Sequence, residues 1–250
     1  MFGLTFTFYQ FVRILAKIFL IAFCEVAWCG ETYGVCYLSN GFISLCKHLL
    51  STFQSSISDE LYCELNYISD TPSSLAKFPE LRDRVIMING FSKSYAMTGW
   101  RLGYVIGPKD LVAPMTKIHQ YCIMSSPSTA QLAVIEAAYN GDDEVKAMRD
   151  EYNHRRRVII DGLKNAGLDC FTPSGAFYAF PCIKGLGLTS EEFCEKFLMS
   201  KKVAIVPGNA FGECGEGYVR ISYAASMKDI KTAMERLAEF VSELKEGKIE

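Results

Sequence analysis

An excess of charge of either sign is missing from this sequence: 26 lysines and arginines stand against 28 aspartates and glutamates, a formal net charge of −2 over 250 residues. Nucleic-acid binding needs a basic excess to meet phosphates, so composition argues against that class of partner. A Cys-x-x-Cys spacing is missing among the ten cysteines as well. No structural zinc site or other metal centre is expected. Cys63, Cys122, Cys170, Cys182, Cys194 and Cys214 stand singly in periodic segments, and Cys24, Cys29, Cys36 and Cys46 follow no ligand spacing. This pattern predicts reduced, mostly buried thiols in a cytoplasmic protein, not a disulfide framework. Internal repeats and low-complexity segments are absent too.

Apolar runs of bilayer length are lacking. The longest uncharged stretches near the amino terminus, residues 1–12 and 18–24, are too short to span a membrane. Arg13 and Lys17 precede the second stretch as in a signal peptide. Twelve largely apolar residues come before those charges, however, and no small-x-small cleavage site follows. Residues 1–58 hold only Arg13, Lys17, Lys47, Glu25 and Glu31 as charged groups, fewer than a globular surface carries. Residues 1–57 therefore form an atypical apolar region with three open readings: a targeting segment, a structural segment or a misread coding region.

With half its residues hydrophobic, the chain can build a sizeable core in one large domain or two modest ones. From about Ser58 onward it reads as α/β. Strands are predicted up to residue 57 and at 84–89, 103–107, 168–172, 176–180, 203–206 and 218–222. Helices are predicted from residue 109, where Pro114 can kink the chain, and at 128–140, 143–166, 190–200 and 227–244. Residues 71–83 read as a loop with a short helix. Arg155–Arg157 reads as a solvated helix face more readily than as an anion site. The alternation up to residue 107 points to a parallel sheet. The expected divisions are 1–57, a first domain at 58–142 and a smaller α/β domain at 143–250.

The most informative segment is Asn-Gly-Phe-Ser-Lys-Ser-Tyr-Ala-Met-Thr-Gly-Trp-Arg at residues 89–101, which follows the apolar run Val85-Ile86-Met87-Ile88. A lysine at the end of a buried strand is costly to keep charged, and the depressed pKa that results makes its amine nucleophilic toward a carbonyl. Lys93 alone reads as a solvated turn residue. The whole ungapped segment resembles the Schiff-base lysine motif of the class I and II aminotransferases, which bind pyridoxal 5′-phosphate (PLP). The resemblance covers about Ser58 to Val241. It implies PLP fold type I, with a truncated large domain of mainly parallel sheet and a carboxy-terminal α/β small domain.

The resemblance implies a role for each handle of the cofactor. Lys93 would carry the aldehyde and then move a proton on the substrate. Asp59, in Ser58-Asp59-Glu60-Leu61-Tyr62, would pair with the pyridine nitrogen, a cap being its ordinary alternative. Tyr62 would hydrogen-bond the phenolic oxygen; by itself it reads as core packing. Ser92 and Arg101 would hold the phosphate, with Ser94 a weaker candidate. Arg220, inside Tyr218-Val219-Arg220-Ile221-Ser222, would grip the substrate α-carboxylate; its alternative is a buried ion pair. Gly175-Ala176-Phe177-Tyr178 and Pro207-Gly208-Asn209-Ala210-Phe211-Gly212 match small-domain segments that serve shape and access.

The implied activity is transfer of an amino group between an amino acid and a 2-oxo acid, by a homodimer. A β-lyase or an aminocyclopropane-forming synthase uses much the same lysine and aspartate. Upstream of Ser58 the resemblance fails: the family's early strands, phosphate loop and ring-stacking aromatic have no match. Spacing alone places Glu31-Thr32-Tyr33-Gly34 where the family has Asn-Pro-Thr-Gly. A truncated, non-catalytic family member is the alternative function.

Overall fold

The computed structural model describes residues 56–69 and 74–249. The expectations placed on residues 1–55 and 70–73 lie outside the described residues. Those described form two compact units, divided between Lys146 and Ala147.

In the first unit, Ser56–Asp59 (β1), Val85–Gly90 (β2) and Gly103–Ile106 (β3) make one sheet in the order β1-β2-β3. β1 and β2 run parallel, with Asp59 opposite Ile88. β3 pairs antiparallel with β2, Gly90 lying opposite Gly103. The parallel reading is thus corrected for the strand at 103–106. A parallel neighbour requires the chain to be carried back along the whole strand first, whereas residues 91–102 return it at the end where it left. The predicted loop with a short helix is two 3₁₀ turns, Leu75–Lys77 and Pro79–Leu81.

After the short helix Phe91–Ser94 (α1) and β3 come Lys109–Cys122 (α2) and Ser128–Asn140 (α3). Each begins directly after a proline, whose fixed φ suits a helix start. Pro114 sits within a continuous α2. α2 buries none of its side chains and α3 only Ala130. Tyr121, Ile123, Leu132, Ile135 and Tyr139 all face solvent, as do Val105 and Ile106 of β3.

Asp142–Asn165 (α4) crosses the division, and Gly167 follows it with φ +73°, the left-handed stop that glycine adopts freely. The second unit adds Tyr178–Ala179 (β4), Ser190–Lys201 (α5), Val206–Pro207 (β5), Val219–Ser222 (β6) and Met227–Lys245 (α6). Its sheet runs β4-β6-β5, all antiparallel. The strand predicted at 168–172 does not form: in place of a ladder, that segment makes one backbone bond with the chain after β4, Cys182 N–H to the Asp169 carbonyl at 2.8 Å. The strand predicted from residue 176 starts at Tyr178, because Ala176 has φ +58° and cannot extend the ladder. The one predicted at 203–206 shrinks to Val206–Pro207.

Apolar spacing on the helices explains this core. Ile230, Met234, Leu237 and Val241 of α6 are buried, joined by Phe240. Phe240 meets Phe193 and Phe197 of α5 at ring-centroid distances of 5.2 and 5.1 Å. Gly162 of α4 lets α6 approach: a Cβ there would lie 2.6 Å from Met234 Cγ. Thr189 caps α5, its hydroxyl accepting from Glu192 N–H while the Glu192 carboxylate accepts from Thr189 N–H at 2.8 Å. Those hydrogen bonds hold the Glu192 carboxyl below its usual range. Arg156 is tied inward, donating to Asn153 and, at 2.6 Å, to the Pro173 carbonyl, so the arginine run is not wholly a solvated face.

Among the described cysteines only Cys194 is buried; Cys63, Cys170 and Cys182 are half-buried, and Cys122 and Cys214 are exposed. The expectation of mostly buried thiols is corrected accordingly. Burial raises the thiols of Cys63, Cys170 and Cys194 to about 11, with Glu64 adding to the effect at Cys63. The thiolate is the reactive form, so alkylation of the native protein at pH 8 is expected to label Cys122 and Cys214 first. Labelling of the other three should rise about tenfold per pH unit up to about 11, a dependence readable by mass spectrometry. These groups bind protons more tightly folded than unfolded, so their contribution to stability is present below the ordinary thiol value and lost as pH climbs toward 11. Equal labelling of Cys122 and Cys194 at pH 8 would contradict this.

Candidate active site

Parallel pairing of β1 and β2 brings both carboxyl ends to one edge of the sheet, where open α/β sheets hold their ligands. Asp59 is the last residue of β1 and is exposed; its Oδ1 accepts from Leu61 N–H at 3.1 Å. This local turn fixes the carboxylate next to the sheet edge. The chain then turns through Tyr62, which is half-buried.

β2 ends at Gly90, and α1 begins at once. A Cβ on Gly90 would sit 3.1 Å from Gly103 Cα and 3.2 Å from the Leu102 carbonyl, so a side chain would push β3 away. Ser92 and Lys93 lie on α1, both half-buried. Lys93 therefore sits in the turn after the strand rather than at its end. Its Nζ stands over the Tyr62 ring, 5.9 Å from the centroid. The structure thus joins the two segments that the sequence singled out separately, 59–62 and 92–93.

The following loop is held in an uncommon conformation. Ala96 and Arg101 have φ of 53° and 56°, the left-handed region that side chains disfavour. Such outliers cluster at functional sites. Arg101 is exposed and donates through Nη1 to the Thr98 carbonyl at 3.0 Å. Among the described residues no hydrogen bond joins it to Ser92. Ser94 is buried, at 2% exposure.

Glu60 and Asn89 are supporting residues to which sequence reasoning assigned no role. Glu60 is buried, and its Oε1 accepts from Ser58 Oγ at 3.0 Å, Ser74 Oγ at 2.9 Å and Leu75 N–H at 3.2 Å. It pins the 74–75 segment to the strand end that carries Asp59. Asn89 Nδ2 donates to Cys63 Sγ at 3.4 Å, linking the ends of both strands beside Lys93. Ser74 and Leu75 lie 14 and 15 residues from Glu60 and Cys63 lies 26 from Asn89, so no local signal announced these bonds. Burial, then Cys63 and Glu60, raise the Tyr104 phenol above its ordinary value.

Arg220 belongs to the second unit, in the central strand β6 opposite Val206. Its guanidinium carbon lies 4.6 Å from the Tyr178 ring centroid and 4.3 Å from that of Phe211. No carboxylate among the described residues pairs with it, so the buried ion pair is not what holds it. Among the described residues no cluster of His, Cys, Asp and Glu could hold a metal ion, and no helix is long and apolar enough to cross a membrane.

Comparison with known proteins is consistent with this geometry. The profile of the family described as aminotransferase class I and II matches residues 55–237. Aspartate aminotransferase of Pyrococcus abyssi is 44% identical over 191 residues, 76% of this chain and 49% of that protein. The Pyrococcus horikoshii aspartate aminotransferase is 44% identical over 72% of this chain and 46% of its own length. The crystal structure of an aromatic aminotransferase from Pyrococcus horikoshii superposes with a TM-score of 0.77 at 39% identity, over 81% of this chain and 54% of that one. The chain spans about half the length of the relatives it matches.

Proposed function

The chain belongs to the class I and II aminotransferases, and from that premise we propose that it binds PLP and moves an amino group between an amino acid and a 2-oxo acid. The observation that carries this reading is the Lys93 amine over the Tyr62 ring, at the sheet edge where Asp59 ends the neighbouring parallel strand. The donor set fits the cofactor: an amine for its aldehyde, a carboxylate for its ring nitrogen, a phenol for its phenolic oxygen, and a hydroxyl with a guanidinium for its phosphate.

When bound, the pyridinium ring supplies an electron sink for the pair left as the substrate α-carbon loses its proton. Lys93 would hold the cofactor and, once displaced by the substrate amine, carry that proton as general base and acid. Asp59 would keep the ring nitrogen protonated, since a carboxylate beside a nitrogen cation favours the charged form. Tyr62 would donate to the phenolic oxygen. Ser92 and Arg101 would hold the phosphate, and Arg101, bonded to the Thr98 carbonyl through Nη1, keeps further N–H groups for it. Arg220 would take the substrate α-carboxylate, an assignment supported by its lack of an ion-pair partner among the described residues.

The substrates would be drawn from the aspartate and aromatic amino acids, the classes named for the Pyrococcus proteins. A cytoplasmic homodimer completes the reading. Cysteines scattered singly along the sequence accord with a reducing compartment, and the exposed apolar side chains of β3, α2 and α3 accord with a partner surface. Those exposed side chains are also compatible with a second reading: a non-catalytic family member that packs against a partner chain.

Titrating the purified chain with PLP while following visible absorbance separates the two. Saturable binding, followed by amino transfer from aspartate or phenylalanine to 2-oxoglutarate, is expected of the enzyme. Absence of saturable binding would hand the reading to the non-catalytic member, and ammonia release without an oxo-acid acceptor would identify a β-lyase.

A further inference from the structure

We propose that Tyr178 and Phe211 are positioning residues that clamp the Arg220 guanidinium between their ring faces, so that it offers only its edge to a carboxylate. The part played in carboxylate recognition rests on the proposed function; the clamp itself does not.

An arginine inside a sheet is ordinarily held by a carboxylate, which occupies the same edge N–H groups that a ligand would use. Arg220 is held otherwise. Ring centroids lie 4.6 Å and 4.3 Å from its guanidinium carbon. The negative ring faces attract the cation without consuming its N–H donors or neutralising its charge. A guanidinium suits this arrangement because it is planar and weakly hydrated; an ammonium has no faces to stack. With its plane fixed, an incoming carboxylate must lie in that plane to make two bonds, which sets the orientation of the carbon it is attached to.

The clamp is itself braced. Tyr178 lies in β4, whose ladder sets it opposite Ser222, two residues beyond Arg220 in β6. Phe211 ends a 3₁₀ turn, Gly208–Phe211, that is locked by backbone contact. Gly208 N–H donates to the Tyr218 carbonyl at 2.9 Å, and a Cβ on Gly208 would lie 2.1 Å from the Gly215 carbonyl. Phe180 packs edge-on against Phe211 at 6.3 Å and stacks on Tyr218 at 5.5 Å, which gives the Phe211 ring an aromatic neighbour of its own. The loop that the sequence assigns to shape and access thus delivers a ring to one arginine.

The test uses the full chain, labelled with ¹⁵N and ¹³C at arginine, with Arg220→Lys identifying the resonance. Rotation about the Arg220 Nε–Cζ bond is expected to be slow in the parent. It should quicken about tenfold in Phe211→Leu and in Tyr178→Leu, each of which removes one cation–π contact. Phe211→Tyr and Tyr178→Phe keep a ring and should match the parent. The same leucine variants should bind 2-oxoglutarate about tenfold more weakly, while the ring-keeping variants do not. Unchanged rotation in both leucine variants would overturn the clamp and leave the rings as packing. Quickened rotation in a protein whose parent form never binds 2-oxoglutarate would uphold the clamp and remove Arg220 from the proposed substrate site.

Discussion

Replacement of Lys93 by alanine is expected to abolish both the visible absorbance that PLP acquires on the parent chain and any amino transfer. The side chain has two tasks in the proposed reaction, holding the cofactor and moving the α-proton. Loss of a general acid–base alone costs up to about 10⁴-fold, so the loss in kcat should reach about 10⁴-fold or more. Stability should change little, because Lys93 lies half-buried in a four-residue helix where alanine is a favourable residue. That separation makes the variant informative: a folded protein with no turnover. Lys93→Arg keeps the charge and much of the length, yet it cannot serve as the nucleophile because a guanidinium stays protonated. It should fail as completely as the alanine variant. Residual turnover above about one part in a hundred in Lys93→Ala would mean that another group does the proton transfer, and Lys93 would lose its assignment.

The second large effect is structural. Phe240→Ala is expected to destabilise the second unit by about 3–5 kcal/mol, the usual cost of emptying a packed phenylalanine site. Phe240 is fully buried, and its ring meets Phe193 edge-on at 5.2 Å and Phe197 at 5.1 Å. α6 contributes Leu237 and Val241 on either side of it. Gly162 holds α4 tightly against Met234, which limits how far the helices can close over the cavity. At about 2–4 °C per kcal/mol for a chain of this size, the unfolding midpoint should fall by roughly 10 °C. Near-ultraviolet circular dichroism and urea melts would report it. Phe240→Leu fills most of the space and should cost far less. A loss below about 1 kcal/mol in Phe240→Ala would show that the three-ring cluster is not the centre of this core.

Candidate site residues could be named without coordinates because their signals are local. Lys93 and Arg101 share one ungapped segment, and Asp59 and Tyr62 share another, so residue type and spacing were enough to single them out. Helices were legible for the same reason: α6 repeats its apolar residues at 3.6-residue intervals, and Gly167 and Gly141 mark real stops. What could not be read was pairing. Direction in a sheet depends on where the chain returns, which made β3 antiparallel where parallel was expected. Strand formation depends on a run of ladder bonds to a neighbour, and residues 168–172 make a single such bond, from Cys182 to Asp169.

By itself, the sequence supplied the resemblance to the family, through the motifs at 58–62 and 89–101, and the α/β alternation from Ser58 onward. A motif of short spacing and a hydrophobic period are properties that do not depend on distant partners. Only the tertiary structure set the Lys93 amine over the Tyr62 ring, buried Ser94, gave Glu60 its bonds to Ser58 and Ser74, and placed Arg220 against the rings of Tyr178 and Phe211. Each of these joins residues that are remote in the chain or depends on which way a side chain faces. A contact of that kind is decided by packing and by which hydrogen-bond partners remain unclaimed, and neither is written in any one segment.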